Sequence, residues 1–177
     1  VFSINSGSGQ AYPSNAQFVG TKPDGSLLSW HFGSQFNTNT PTGTGFNQIV
    51  SSFHNFAALK TDGSIVAWGD DSTNGQLSVP TGNQFTQLSA TIAAFAALRT
   101  DGSIASWGWP IGNNVPTGTG YVQIIANVNA FAALKADGSI SVWGLPGRGG
   151  DNGPTGTGFV QIVNSRDSFG LGDGQLL

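Results

Sequence analysis

An all-β chain assembled from a short repeated sheet is what this sequence predicts, and three observations predict it. The phrase FAALKTDGSIVAWG (Phe56 to Gly69) returns as FAALRTDGSIASWG from Phe95 and as FAALKADGSISVWG from Phe131. An Asp-Gly pair, a strong hairpin signal, sits in each copy at Asp62-Gly63, Asp101-Gly102 and Asp137-Gly138, and once more at Asp24-Gly25. The composition opposes helix: 27 of 177 residues are Gly, Glu is absent, and only 8% of residues are charged against about 25% in an average globular chain.

The repeat keeps one register. Phe opens it at 18, 56, 95, 131 and 169, and Trp closes it at 30, 68, 107 and 143. A second block, PTGTGF, stands at Pro41 and Pro154, with the variants PTGNQF at Pro80 and PTGTGY at Pro116. A fixed period near 38 residues predicts a β-propeller of about five blades, or part of a larger ring. The whole chain, 1–177, reads as a single repeat domain with units starting near 1, 45, 84, 120 and 158, the last truncated.

Each unit resolves into strands in order. Gly45 to Ser52 (GFNQIVSS) is apolar and β-prone and predicts a first strand. Phe56 to Lys60 predicts the second, Asp-Gly the turn, and Ser64 to Gly69 the third. On that third strand Ile65 and Ala67 share one face while Val66 and Trp68 share the other. Apolar residues on both faces predict a sheet covered on both sides by its neighbours. Gln76 to Pro80 (QLSVP) predicts a fourth, outer strand ended by a proline that cannot donate to a ladder. At the ends, Val1 to Ile4 (VFSI) aligns with a first strand, and Phe159 onward predicts a first strand with a shortened second. The closing GDGQLL mirrors Asp24 to Leu28.

The run FAALKTDGSIVAWGDDSTNGQLSVP resembles the repeat of the regulator of chromosome condensation family. In repeat style it is closer still to the propeller-type secreted β-lactamase inhibitor proteins. The matching pieces are Ala-Leu before Asp-Gly, Trp-Gly after it, and Gly75-Gln76-Leu77. The resemblance implies a β-propeller. Those families usually build seven blades, which at this period would need roughly 260 residues. The His that such repeats often place before Ala-Leu is replaced by Gln17, Asn55, Ala94, Ala130 and Ser168, and His31 stands where Gly follows Trp in other units.

Bulk chemistry narrows the function. A net charge of −3 with no basic run lacks the electrostatic footprint of a nucleic-acid binder. No apolar stretch approaches the ~20 residues that span a bilayer. Absence of Cys removes disulfide frameworks, thiolate metal sites and cysteine nucleophiles. A start at Val1 in a chain without Met reads as a processed or excised product, and a surface of Ser, Thr, Asn and Gly leans toward an extracellular or cell-surface location. Asp70 to Gly75 (DDSTNG) opens like a calcium loop, yet Thr81 stands where the bidentate Glu belongs. Four of the nine acidic residues are turn Asp, whose role is local, and the Lys or Arg two residues earlier (Lys22, Lys60, Arg99, Lys135) reads as a charge pair across the turn. No enzyme chemistry, metal or cofactor is expected.

What breaks the repeat points to binding. Trp109 has no counterpart in other units; His31, Phe32 and Phe36 lie in the segment after the first unit, and Phe53 and His54 in a bend of the second. Aromatics on loops of a rigid scaffold are anchors for partners, against the plainer role of padding a blade junction. The expected function is a non-enzymatic extracellular scaffold that recognises a protein or a glycan through loops on one face. The alternative is a structural subunit of an extracellular fibre or surface coat, self-associating through open edge strands such as GDGQLL against VFSI; an enzyme inhibitor is the weaker third.

Overall fold

Each Asp-Gly of the repeat turns the chain back on itself. The computed structural model describes residues 17–31, 39–70, 77–109 and 114–165, and they contain strands but no helix. β1 (Gln17–Thr21) and β2 (Leu27–His31) form a two-stranded sheet. β3 (Phe46–Ser51), β4 (Asn55–Lys60) and β5 (Ile65–Gly69) form a three-stranded one in that order. β6 (Phe85–Ala90), β7 (Ala94–Arg99) and β8 (Ile104–Gly108) form the next, and β9 (Tyr121–Ala126), β10 (Ala130–Lys135) and β11 (Ile140–Gly144) the last. All pairings are antiparallel.

The turn is a tight one followed by a left-handed glycine. The Gly25 amide donates to the Lys22 carbonyl and the Lys22 amide to the Ser26 carbonyl, both at 2.9 Å, with Gly25 at φ 75°. Gly63, Gly102 and Gly138 repeat this at φ 81°, 77° and 80°. Each Asp Oδ1 accepts the amide of the serine two residues on, at 2.8 to 2.9 Å. The hydroxyl of that serine, then its amide, holds the carboxyls of Asp24, Asp62, Asp101 and Asp137 below the usual carboxylate range. The preceding cation contributes less to that shift. In three of the repeats the cation lies over a ring: Lys60 over Phe46, Arg99 over Phe85 and Lys135 over Tyr121, 4.8 to 5.1 Å from the centroid.

The same glycine joins one sheet to the next. Its carbonyl accepts the amide that opens the following first strand: Phe46 on Gly25 at 3.0 Å, and Phe85 on Gly63, Tyr121 on Gly102 and Phe159 on Gly138 at 3.1 Å. The approach is close. A Cβ on Gly25 would stand 2.7 Å from the Gly45 nitrogen, and one on Gly63 would strike the Asn83 carbonyl.

A second joint comes from glutamine. The first strands carry a bulge just before it, where Phe46 faces Lys60 but Gln48 faces Leu59; the same shift occurs at Phe85/Gln87, and β9 has its counterpart opposite Leu134/Lys135. The Gln48 side chain then donates to the Leu88 carbonyl at 2.9 Å and accepts the Leu88 amide at 2.8 Å. Gln87 does the same to Ile124, at 2.9 and 3.0 Å. A side-chain amide thus supplies the two bonds of a β-bridge where no ladder runs.

Apolar packing fills the space between these joints. The two ends of the repeated phrase are cross-strand partners: Phe56 opposite Trp68, Phe95 opposite Trp107, Phe131 opposite Trp143, Phe18 opposite Trp30. Their rings stack at 5.1 to 5.7 Å. Each stack faces the preceding sheet: Phe95 and Trp107 lie against Ala57, Leu59 and Ile65, and Phe131 and Trp143 against Ala96, Leu98 and Ile104. Ile65 and Ala67 therefore face one neighbour while Val66 and Trp68 face the other, as the alternation predicts. Alanine on the receiving face lets the sheets approach and the aromatic stack interlock. This face-to-face row of small sheets is propeller architecture.

Two expected strands are absent. Residues 77–80 form none. The Val79 amide bonds the Leu77 carbonyl at 3.0 Å, which removes it from any ladder, and Pro80 has no donor; Val79 instead packs onto the second and third sheets. Residues 159–165 have a first-strand sequence but no strand conformation. A first strand obtains its ladder only from the second strand of its own sheet, and the joint to the preceding sheet consists of isolated bonds. VFSI and GDGQLL lie outside the described residues.

Three outcomes follow from these joints. Gly63→Ala is expected to cost about 3 kcal/mol, against about 1 kcal/mol for Gly82→Ala, because both glycines have positive φ but only Gly63 abuts the next sheet. Equal urea midpoints for the two variants would remove the close-approach account. Gln87→Ala should lose about 1–3 kcal/mol by leaving the Ile124 amide and carbonyl unmet, and an unchanged midpoint would show the bridge to be idle. The turn carboxylates titrate lower in the folded chain than the unfolded value near 4, so their contribution is complete above that pH and fades as pH falls through the folded values. The thermal midpoint should hold from about pH 7 to 5 and drop as pH falls below about 4. Replacing Ser26, Ser64 and Ser139 with Ala should flatten that drop; a profile identical to the parent's would refute the assignment.

Candidate functional site

The ends of the sheets opposite the Asp-Gly turns carry the bends between first and second strands. Each bend is capped by its own side chain. Ser52 Oγ accepts the Asn55 amide at 3.1 Å, Thr91 Oγ1 the Ala94 amide at 3.0 Å, and Asn127 Oδ1 the amides of Asn129 and Ala130 at 2.8 and 2.7 Å. Backbone bonds then link the bends across sheets. The Phe53 amide donates to the Ile92 carbonyl and the Ile92 amide to the Val128 carbonyl, both at 2.9 Å.

This linkage assembles the candidate residues. Trp109, directly after β8, donates its amide to Ala93 at 2.9 Å, so Phe53 and Trp109 are anchored to consecutive residues of one bend. Phe53 is 47% exposed and Trp109 63% exposed, although the backbones of both are pinned. His54, half-buried, sits edge-on to Phe53 with ring centroids 4.5 Å apart. Its carbonyl receives the Asp70 amide at 3.4 Å, which places the end of β5 at the same rim. Of His31 the structure describes only the backbone, as the last residue of β2; Phe32 and Phe36 lie outside the described residues.

The surface so formed is aromatic, rigid at the backbone and poor in charge. It can stack on the apolar face of a sugar ring or insert into an apolar recess of another protein. The four turn carboxylates lie at the other ends of the sheets and are already engaged by serine. No three His, Cys, Asp or Glu side chains gather among the described residues. An open groove of about 510 Å³ lies elsewhere, where Tyr121, Ser141 and Val142 face Asp151 and Pro154.

Ile92 and Ala93 were not legible as site residues. Neither departs from the repeat, and their part is played by backbone groups that meet Phe53 and Trp109 from a neighbouring sheet.

No protein-family model matches the sequence, and no curated protein does so either. Solved structures do match in fold. The ectodomain of the receptor kinase CR4 from Physcomitrella patens is 20% identical, with a TM-score of 0.59 over 72% of this chain and 36% of that one. The CRINKLY WD40 ectodomain of the Arabidopsis thaliana receptor kinase ACR4 is 17% identical, with a TM-score of 0.57 over 82% of this chain and 51% of that one. Prp20p of Saccharomyces cerevisiae, yeast RCC1, described with its binding to Gsp1p and histones, is 16% identical, with a TM-score of 0.54 over 72% of this chain and 43% of that one. The chain thus spans about a third to a half of the length of these proteins. Repeated Asp-Gly hairpins, interlocked Phe–Trp stacks and these matches together show the fold of a regulator of chromosome condensation-type repeat β-propeller.

Proposed function

We propose that this chain is a non-enzymatic binding scaffold, working outside the cell or at its surface, that takes a protein or a glycan on the rim formed by Phe53, His54 and Trp109. The observation that carries the reading is the anchoring of two exposed aromatic residues to one bend, which holds large apolar side chains toward solvent on a fixed backbone. Ectodomain propellers among the matched structures support a binding role and an extracellular setting, and Prp20p supports a protein partner. The fibre or coat reading draws on a different observation, the half-exposed Phe18, Leu28 and Trp30 on the first sheet.

Phe53→Ala with Trp109→Ala is the test. Both side chains are largely solvated, so the thermal midpoint should move little. Affinity for ligands selected on a glycan array and on a panel of extracellular domains should fall about 30-fold or more, the loss of about 2 kcal/mol expected of an aromatic anchor. Undiminished binding by the double variant would sink the assignment of this rim.

A further inference from the structure

We propose that the groove beside β11 is a second binding site and takes a neutral sugar ring. It is separate from the aromatic rim and does not depend on the role given to that rim. Pro116 and Thr117, from the connector that enters β9, line it together with Tyr121 and Ser141 of the fourth sheet. Asp151 and Asn152, from the connector that leaves β11, complete the polar lining. Its volume of about 510 Å³ falls within the roughly 300–1,000 Å³ of small-molecule clefts.

Three departures from the repeat meet there. Tyr121 stands where the second and third units have Phe46 and Phe85, and Ser141 where they have Val66 and Ala105. The two hydroxyl oxygens are 2.9 Å apart. Whichever of them donates, the pair keeps one O–H and further lone pairs for a third group. Gly153 stands where Val79 and Val115 pack apolar side chains onto the core. A like groove of about 360 Å³ lies beside β2, and there Leu28 occupies the place of Ser141. The hollow is thus a feature of the scaffold, and the hydroxyl pair is added to it in the fourth unit.

The connector after β11 is held in place. The Gly150 amide donates to the Leu145 carbonyl at 3.2 Å and the Gly147 amide to Asp151 Oδ1 at 2.9 Å. Gly153 lies so close to the sheet that a Cβ there would stand 3.0 Å from Val142 Cγ2. Between them Asn152 has φ 56°, the one non-glycine residue with positive φ among the described residues, and such outliers gather at ligand sites. The side chains select the ligand class. Asp151 is the one charged group among the described residues of the lining, so an anion would find no counter-charge. Asp151 keeps acceptor capacity beyond the Gly147 amide, while Asn152, Thr117 and the hydroxyl pair can each donate and accept. Groups of that kind match hydroxyls, and Pro116 and Val142 offer apolar surface to the C–H face of a sugar ring.

The test is an NMR titration of the isotope-labelled chain with the methyl glycosides of glucose, galactose and mannose. At millimolar concentrations at least one of them should shift the amides of Thr117, Ser141 and Asn152 saturably. Tyr121→Phe with Ser141→Val restores the residues of the second unit, so it should fold as the parent does and weaken binding about 10-fold or more. Asp151→Asn, which keeps an acceptor for the Gly147 amide, should also weaken it. Phe53→Ala with Trp109→Ala should bind the same glycoside as tightly as the parent, whatever the rim itself recognises. Absence of saturable shifts at the groove amides with all three glycosides overturns the proposal. Undiminished binding by the Tyr121/Ser141 and Asp151 variants does so as well. Shifts confined to Phe53 and Trp109 also overturn it and support a glycan at the rim instead. Inorganic phosphate should leave the groove amides unmoved, and saturable binding of phosphate there would overturn the assignment to a neutral ligand.

Discussion

Between one small sheet and the next, the glycine after each turn aspartate is the point of contact that the other joints depend on. It adopts a left-handed conformation to close the hairpin, and its carbonyl receives the amide that starts the next first strand. Gly63 has no room for a side chain, since the Asn83 carbonyl occupies the space. Two demands converge on one residue: positive φ and close approach of a foreign backbone. The distance set there brings the aromatic stack of one sheet within reach of the alanine face of the sheet before it. A three-stranded sheet with two apolar faces gains stability only when both are covered, so its folding and its neighbour's are coupled.

The glutamine bridge solves a separate difficulty. First strands of adjacent sheets approach one another with backbone groups that no ladder satisfies, and burial of unmet groups is costly. Gln48 and Gln87 meet that need with an amide that both donates and accepts. The bulge before each one turns the side chain toward the neighbouring sheet and leaves Asn47, Thr86 and Val122 outward, which is why Val122 is 55% exposed in an otherwise apolar strand.

The same cross-sheet bonding gives the aromatic rim its rigidity. Phe53, Ile92 and Val128 are bonded in succession from bend to bend, and Trp109 joins at Ala93. Large side chains on such a frame would lose little backbone entropy on binding the proposed partner, because the frame is already ordered. In the proposed binding role, sparse charge around them would make shape and apolar contact the basis of recognition, with little electrostatic steering.

Local physics made much of this readable in one dimension. Asp-Gly demands a turn wherever it occurs, alternation assigns Ile65 and Trp68 to opposite faces, and a period near 38 requires an array of like units. Phe53, His54 and Trp109 stood out because they break the repeat. Only tertiary structure decided the rest. Residues 77–80 and 159–165 have strand-like sequences yet are not strands, because a strand exists through its partner and these segments have no ladder partner among the described residues. Gln48 looked like an ordinary strand residue, since the groups it bridges belong to Leu88, 40 residues away. Phe53 and Trp109 became neighbours of one bend because the third sheet carries Ile92 and Ala93 side by side, and that adjacency arises from the packing of sheets, which no local propensity encodes.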